Sequence, residues 1–256
     1  MPISTSFILP TTLTLSLSLS CYLIYHHRRL HHSTSTTHRD GTLAAHSIPL
    51  DNLETVPTAV FSSGQFFSVY DRAARIVPRN KFPALNHHHK LINHGNKSEG
   101  RSEGDLLTLY LRHTLTLFTS LPQAYLIKFL LLPRSARYSF GADYINSLSF
   151  VEGDVVCGVY TVLLRTARKV EFGIAAPGGA DGVQGRLVVG INPDIDLKGE
   201  DQDEEGRVEV YSETAMWRDA DSRVVMPLER ALGRAMHELA AWWLLERGVE
   251  YLQRLD

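Results

Sequence analysis

The sequence predicts an α+β domain in which an antiparallel sheet packs on a long C-terminal helix, with further helices ahead of the sheet. Three observations carry that reading. From Asp154 onward, segments rich in β-branched and aromatic residues follow one another: Asp154 to Arg165, Arg168 to Ala175, Gly185 to Ile191 and Arg207 to Arg218. None of the connectors between them contains a crossover helix, and parallel neighbours need about a dozen or more connecting residues, usually helical. The chain then closes on "PLERALGRAMHELAAWWLLERGVEYLQRL", whose apolar side requires a partner surface.

At the N-terminus, "SFILPTTLTLSLSLSCYLIY" (Ser6 to Tyr25) carries no charge and is followed by "HHRRLHH". A stretch of that length spans a bilayer as a helix, and Arg28 and Arg29 behind it favour a cytoplasmic C-terminal side. The expectation is a membrane anchor with the domain in the cytoplasm, on the endoplasmic reticulum or a mitochondrial membrane. The alternatives are a cleaved secretory signal, which lacks its basic n-region here, and a mitochondrial presequence, which suits the lack of acid before Asp40 but has few arginines. Ser33 to Ser47 ("STSTTHRDGTLAAHS") reads as a polar linker. Residues 1–50 are therefore an anchor or targeting segment with its linker, and 51–256 a single domain.

Within that domain, Ser62 to Val77 is predicted to be a short helix, with Phe66, Val69, Tyr70 and Ala73 at spacings of three and four and Pro78 as its stop. A polar, Gly- and Asn-containing insertion at about 86–104 is expected to be flexible. It holds His87, His88, His89 and His94. A metal site needs ligands fixed on rigid elements with a second shell, so neither a metal nor a cofactor is expected. Asp105 opens a helix whose Leu107, Tyr110, Leu111 and Phe118 share a face. Pro122 opens another, "PQAYLIKFLLL", stopped at Pro133; it is too short to span a membrane and is expected to pack on the sheet.

The glycines at Gly178, Gly179, Gly182 and Gly185 pose the question of a phosphate loop. Such a loop needs a helix N-terminus after it, whereas here "RLVVGI" follows. They are read as a hairpin turn. The acidic connection Ile191 to Gly206 is a solvated excursion, and its ligand spacing excludes an EF-hand. On the closing helix, Leu228, Leu232, Ala235, Met236, Leu239, Trp242 and Trp243 form the apolar face, with Glu229, Arg230, Arg234, Glu246 and Arg247 opposite.

Composition limits the partners. The 256 residues are 44% hydrophobic, enough for a sizeable core, and the net charge is −2 from 26 basic and 28 acidic residues. No global field recruits nucleic acid. Two cysteines, Cys21 and Cys157, give neither a disulfide framework nor a thiolate metal site. Cys157 is expected in the middle of a strand as a small core residue.

For chemistry, alternation along "RVEVYSETAMWR" puts Glu209, Tyr211, Glu213, Ala215 and Trp217 on one face. If the long helix covers that face, Glu213 lies beside rings and becomes a general acid or base; otherwise it is a hydrated surface carboxylate. His237, at the border of the helix's apolar side, is the matching proton carrier, against the plainer reading of an edge residue. His113 carries the same two readings. No serine or cysteine has a nucleophile elbow.

From about Phe150 onward, the successive strands, the phrase "VEVYSETAMWR" and the helix "PLERALGRAMHELAAWWLLERGVEYL" resemble the START-like, or polyketide cyclase and lipid-transport, superfamily. The resemblance implies a curved sheet gripping the C-terminal helix, with a hydrophobic small molecule or lipid held between them. Tyr160, Tyr211, Trp217, Leu239, Trp242 and Trp243 are the expected ligand-lining residues. The same cavity could serve a cyclase, dehydratase or thioesterase, with Glu213 and His237 as acid and base. A hot-dog fold is the alternative architecture, suggested by "INSLSFVEGDVV" and a helix over Asp105 to Leu132.

Overall fold

The structure is a computed structural model and describes residues 25–42, 52–83, 103–175, 182–193 and 206–255. The anchor expected before Tyr25 and nearly all of the 86–104 insertion lie outside those residues. The chain is α+β: among the described residues seven antiparallel strands form one sheet, in the order β1-β2-β7-β6-β5-β4-β3. The strands are β1 (Ser35–Gly41), β2 (Phe66–Pro78), β3 (Val155–Val156), β4 (Tyr160–Arg165), β5 (Lys169–Ala175), β6 (Gln184–Asn192) and β7 (Arg207–Asp219). The helices are α1 (residues 25–33), α2 (Ala59–Ser62), α3 (Glu103–Phe118), α4 (Pro122–Leu126), α5 (Ala142–Ser147) and α6 (Ala231–Leu252).

The four C-terminal strands and the closing helix fall where the sequence puts them. Two other expectations are corrected. Ser62 to Val77 is not a helix, because Phe66–Pro78 is the long strand β2, paired with β7 over its whole length. It lies inside the sheet and is buried on both faces, and such a strand reads as an apolar run without alternation. Nor is Ser33 to Ser47 a linker throughout. Its first half is the edge strand β1, in register with β2 from Ser35 opposite Ala74 to Gly41 opposite Ser68. The glycine-containing connection after β5 joins antiparallel neighbours, Ala175 opposite Gln184, and Gly182 takes a positive φ, as a hairpin requires.

Strand alternation divides the sheet into two environments. On one face Ala73, Val162, Val170, Phe172, Val189, Ile191, Val208 and Val210 form the main core with Leu107, Tyr110 and Leu111 of α3 and Trp242, Leu245, Val249 and Leu252 of α6. On the other face Tyr70, Ala74, Val188, Tyr211, Ala215 and Trp217 pack under Leu53, Val60 and Phe61. Helix α6 buries a different stripe from the one expected. Leu232 is exposed, whereas Glu246 is buried between Arg29 (3.1 Å) and Arg75 (3.4 Å). Cys157 is buried, but in the turn after β3 rather than inside a strand, at φ 51°.

Candidate functional site

Three places concentrate chemistry. The first is the face of the sheet opposite α3 and α6, which the 52–62 segment with α2 covers. Alternation along β7 sets Glu209, Tyr211, Glu213 and Trp217 side by side there, as the sequence indicates. Glu213 is fully buried and receives Arg72 Nε at 2.9 Å and Asn52 Nδ2 at 2.7 Å on one oxygen. Arg72 also bonds Glu209 at 2.6 Å, and its guanidinium lies 5.3 Å from the centre of the Tyr211 ring. The Tyr211 hydroxyl donates to Asn52 Oδ1 at 3.2 Å, and its ring crosses Gly190, where a Cβ would stand 2.5 Å from it.

In the same cross-strand row, two strands away, buried Glu171 accepts from the backbone N–H groups of Glu54 and Thr55 (both 3.0 Å) and from the Thr55 hydroxyl (2.5 Å). Lys169 donates to the Asn52 carbonyl at 3.0 Å and Arg186 to Thr55 Oγ1 at 2.7 Å, with Trp217 beneath the Arg186 guanidinium. These charges fasten the 52–62 segment onto the sheet. Among the described residues two buried oxygens here lack a hydrogen-bond partner, Glu213 Oε2 and Tyr70 Oη. Burial first, and then the Glu213 carboxylate, push the Tyr70 phenol well above its ordinary value, so it stays protonated.

The second place is the helical face. His237 Nε2 lies 3.3 Å from Asp71, the residue that precedes Arg72 on β2. Neighbours along a strand point to opposite faces, so Glu213 with Arg72 and His237 with Asp71 stand on the two sides of the sheet. The expected acid–base pair is thereby corrected: the strand layer separates its members. The expected ligand-lining residues divide in the same way. Tyr211 and Trp217 lie with Glu213. Tyr160, Leu239, Trp242 and Trp243 lie with the main core. Tyr160 packs edge-on to Phe118 and Phe172, and burial raises its phenol well above the usual range. Trp242, 3% exposed, is covered by His27 and His31 of α1. His113 stacks on Tyr251 at 4.2 Å between ring centres.

The third place is α4 with the π-helical turn that continues it, Ile127–Leu131. The sequence reading has this segment packed on the sheet, and part of it is: Ala124 is fully buried, and Ile127 and Leu132 rest on the main core. The other side faces solvent, with Tyr125 53%, Phe129 51% and Leu130 73% exposed, next to exposed Leu126, Leu131 and Tyr138. Three cations accompany them. Lys128 lies 5.6 Å and Arg137 5.2 Å from the centre of the Phe129 ring, and Arg134 follows Pro133. From Thr119 to Ala142 there is no acidic residue. A segment that is apolar all round and carries only positive charge was the available sequence signal for this surface.

Among the described residues no helix is long and apolar enough to cross a membrane. In comparisons with known proteins the chain matches no family model, no curated protein and no solved structure.

Proposed function

We propose that the protein works at a lipid surface and takes up an apolar small molecule or lipid there, with α4 and its widened turn as the contact element. The observation that carries this reading is the exposed cluster of Tyr125, Phe129 and Leu130 flanked by Lys128, Arg134 and Arg137. Apolar side chains gathered on a surface cost solvation unless something covers them, and large exposed patches mark interaction sites. Aromatic and basic residues interleaved without acid suit the interface of an anionic bilayer, where rings sit at headgroup level and cations meet phosphate.

The helix-grip reading of the fold belongs to the same proposal. It is supported by the order of elements from β2 onward: that long strand, then helices, then a run of antiparallel strands whose last member, β7, pairs with β2, then the closing helix. In that reading the ligand lies on the helical face, near Tyr160, Leu239 and Trp243, and the segment from α4 to Leu132, which reaches Gly158 two residues before Tyr160, separates that face from the bilayer. Glu213 lies on the far side and is assigned a role in the fold rather than in the ligand site.

The test uses the full chain, so that any contribution of the N-terminal segment is common to all samples. Cys21→Ser and Leu130→Cys together leave one reactive thiol for an environment-sensitive fluorophore, since burial holds the Cys157 thiol up at about 12. Vesicles of phosphatidylcholine with phosphatidylserine should shift the probe's emission to the blue, and phosphatidylcholine alone should do so less. Lys128→Ser should weaken the shift about fivefold in lipid concentration, the effect of about 1 kcal/mol per cation. An emission spectrum indifferent to vesicles would remove the lipid-surface reading. Mass spectrometry that finds no lipid or other apolar molecule retained by the purified chain would remove the ligand reading.

A further inference from the structure

His38 on β1 and Asp71 on β2 are direct cross-strand partners. His237 and Glu238 are consecutive on α6, which packs on β2 at this point. His38 Nδ1 is 3.8 Å from one Asp71 oxygen and His237 Nε2 is 3.3 Å from the other. One donor atom from each of His38, Asp71 and Glu238 lies within 4.8 Å of the other two.

Hydrogen bonding does not explain this gathering. The Asp71 side chain is 6% exposed, and among the described residues its two imidazole contacts are its only partners, neither with hydrogen-bond geometry. His38 Nδ1 is itself buried without a hydrogen-bond partner. A buried carboxylate without donors is costly unless a cation compensates it.

We propose that His38, Asp71 and Glu238 bind a divalent transition-metal ion, zinc by the character of its donors, that His237 holds Asp71 from outside the coordination shell, and that the ion ties the edge strand β1 and its neighbour β2 to α6. Two donors each about 2.0–2.1 Å from a tetrahedral zinc stand about 3.3 Å apart, so the three donor atoms, within 4.8 Å of one another, draw in slightly around the ion. An imidazole nitrogen with two carboxylate oxygens suits zinc; magnesium and calcium prefer oxygen alone, and no thiolate stands in the group to select copper(I). Three protein donors leave the fourth position of a tetrahedral ion to water. His38, His237 and Glu238 are each partly exposed, which leaves the ion a path from solution.

Arg234 opposes the ion. Its Nη1 is 3.2 Å from His38 Nε2 and its Nε is 3.9 Å from Glu238. It supplies positive charge to the cluster in the metal-free form and, being 41% exposed, can swing into solvent when the ion enters.

The experiment is a titration of the purified full chain with zinc ion alone, against a chromophoric chelator. The wild type should take up one equivalent that His237→Gln and Glu238→Gln each weaken by at least about tenfold. Asp71→Asn should abolish it; if that buried change impairs folding, the two helix-surface variants decide. Histidine runs elsewhere in the chain could bind zinc, and they would do so equally in wild type and variants. Equal affinities throughout, or no uptake at micromolar zinc, would overturn the proposal. Arg234→Gln should tighten binding several-fold by removing the competing cation, and weaker binding in that variant would also overturn it.

Discussion

His113 shows how a single imbedded imidazole couples stability to pH. Its ring lies flat on Tyr251 of α6, and burial first, then the Arg254 guanidinium, hold its pKa below the ordinary value. In the unfolded chain the imidazole returns to about 6.5. As pH falls past that value the unfolded state takes up a proton before the folded state does, so folding loses stability through this group until the folded pKa is passed. His113→Phe keeps the stack and removes the titration. Denaturant midpoints of the two proteins should therefore diverge in the variant's favour between neutral pH and about pH 5. At Glu213 the situation differs: Arg72 and Asn52 both donate to one oxygen, and removing Arg72 leaves an uncompensated buried group.

At the scale of elements, the contact between α3 and α6 depends on Gly248. A Cβ built there would stand 2.2 Å from the Tyr110 ring and 2.7 Å from the Thr114 methyl, both on α3. Alanine gains about 1 kcal/mol over glycine in helix propensity, while overpacking a tight interface costs about 1–3 kcal/mol. Steric crowding wins here because the ring is buried on both sides, and Gly248→Ala should lower the urea midpoint without changing the m-value. The closing helix was legible in the sequence from its length and its many helix-forming residues after Pro227, as were the four C-terminal strands from their β-branched and aromatic residues. Strand β2 was not, since both its faces are covered, and β1 was not, since "STTHRDG" has no apolar face at all. The Glu213, Tyr211 and Trp217 face was legible too. Which face α6 would cover was not, because β7 carries large side chains on both. The pairing of His237 with Asp71 followed from that choice of face and was equally out of reach.

For the molecule as a whole, residues before the expected domain start at 51 belong to the fold. Leu30 of α1 is buried in the main core, Arg29 pairs with Glu246, and β1 shields the outer edge of β2. Leu30→Ala should cost about 2–5 kcal/mol, as other core leucines do. A denaturation curve that stays where the wild type's lies would show α1 to be dispensable. The sheet's central pairing joins the strand that ends at Pro78 to one that begins at Arg207. During synthesis β2 therefore leaves the ribosome with its long β7 edge bare, and that edge waits for well over a hundred further residues before its partner exists. Products cut short before β7 would present this hydrogen-bonding edge to one another, so premature termination should yield aggregates rather than a smaller folded protein.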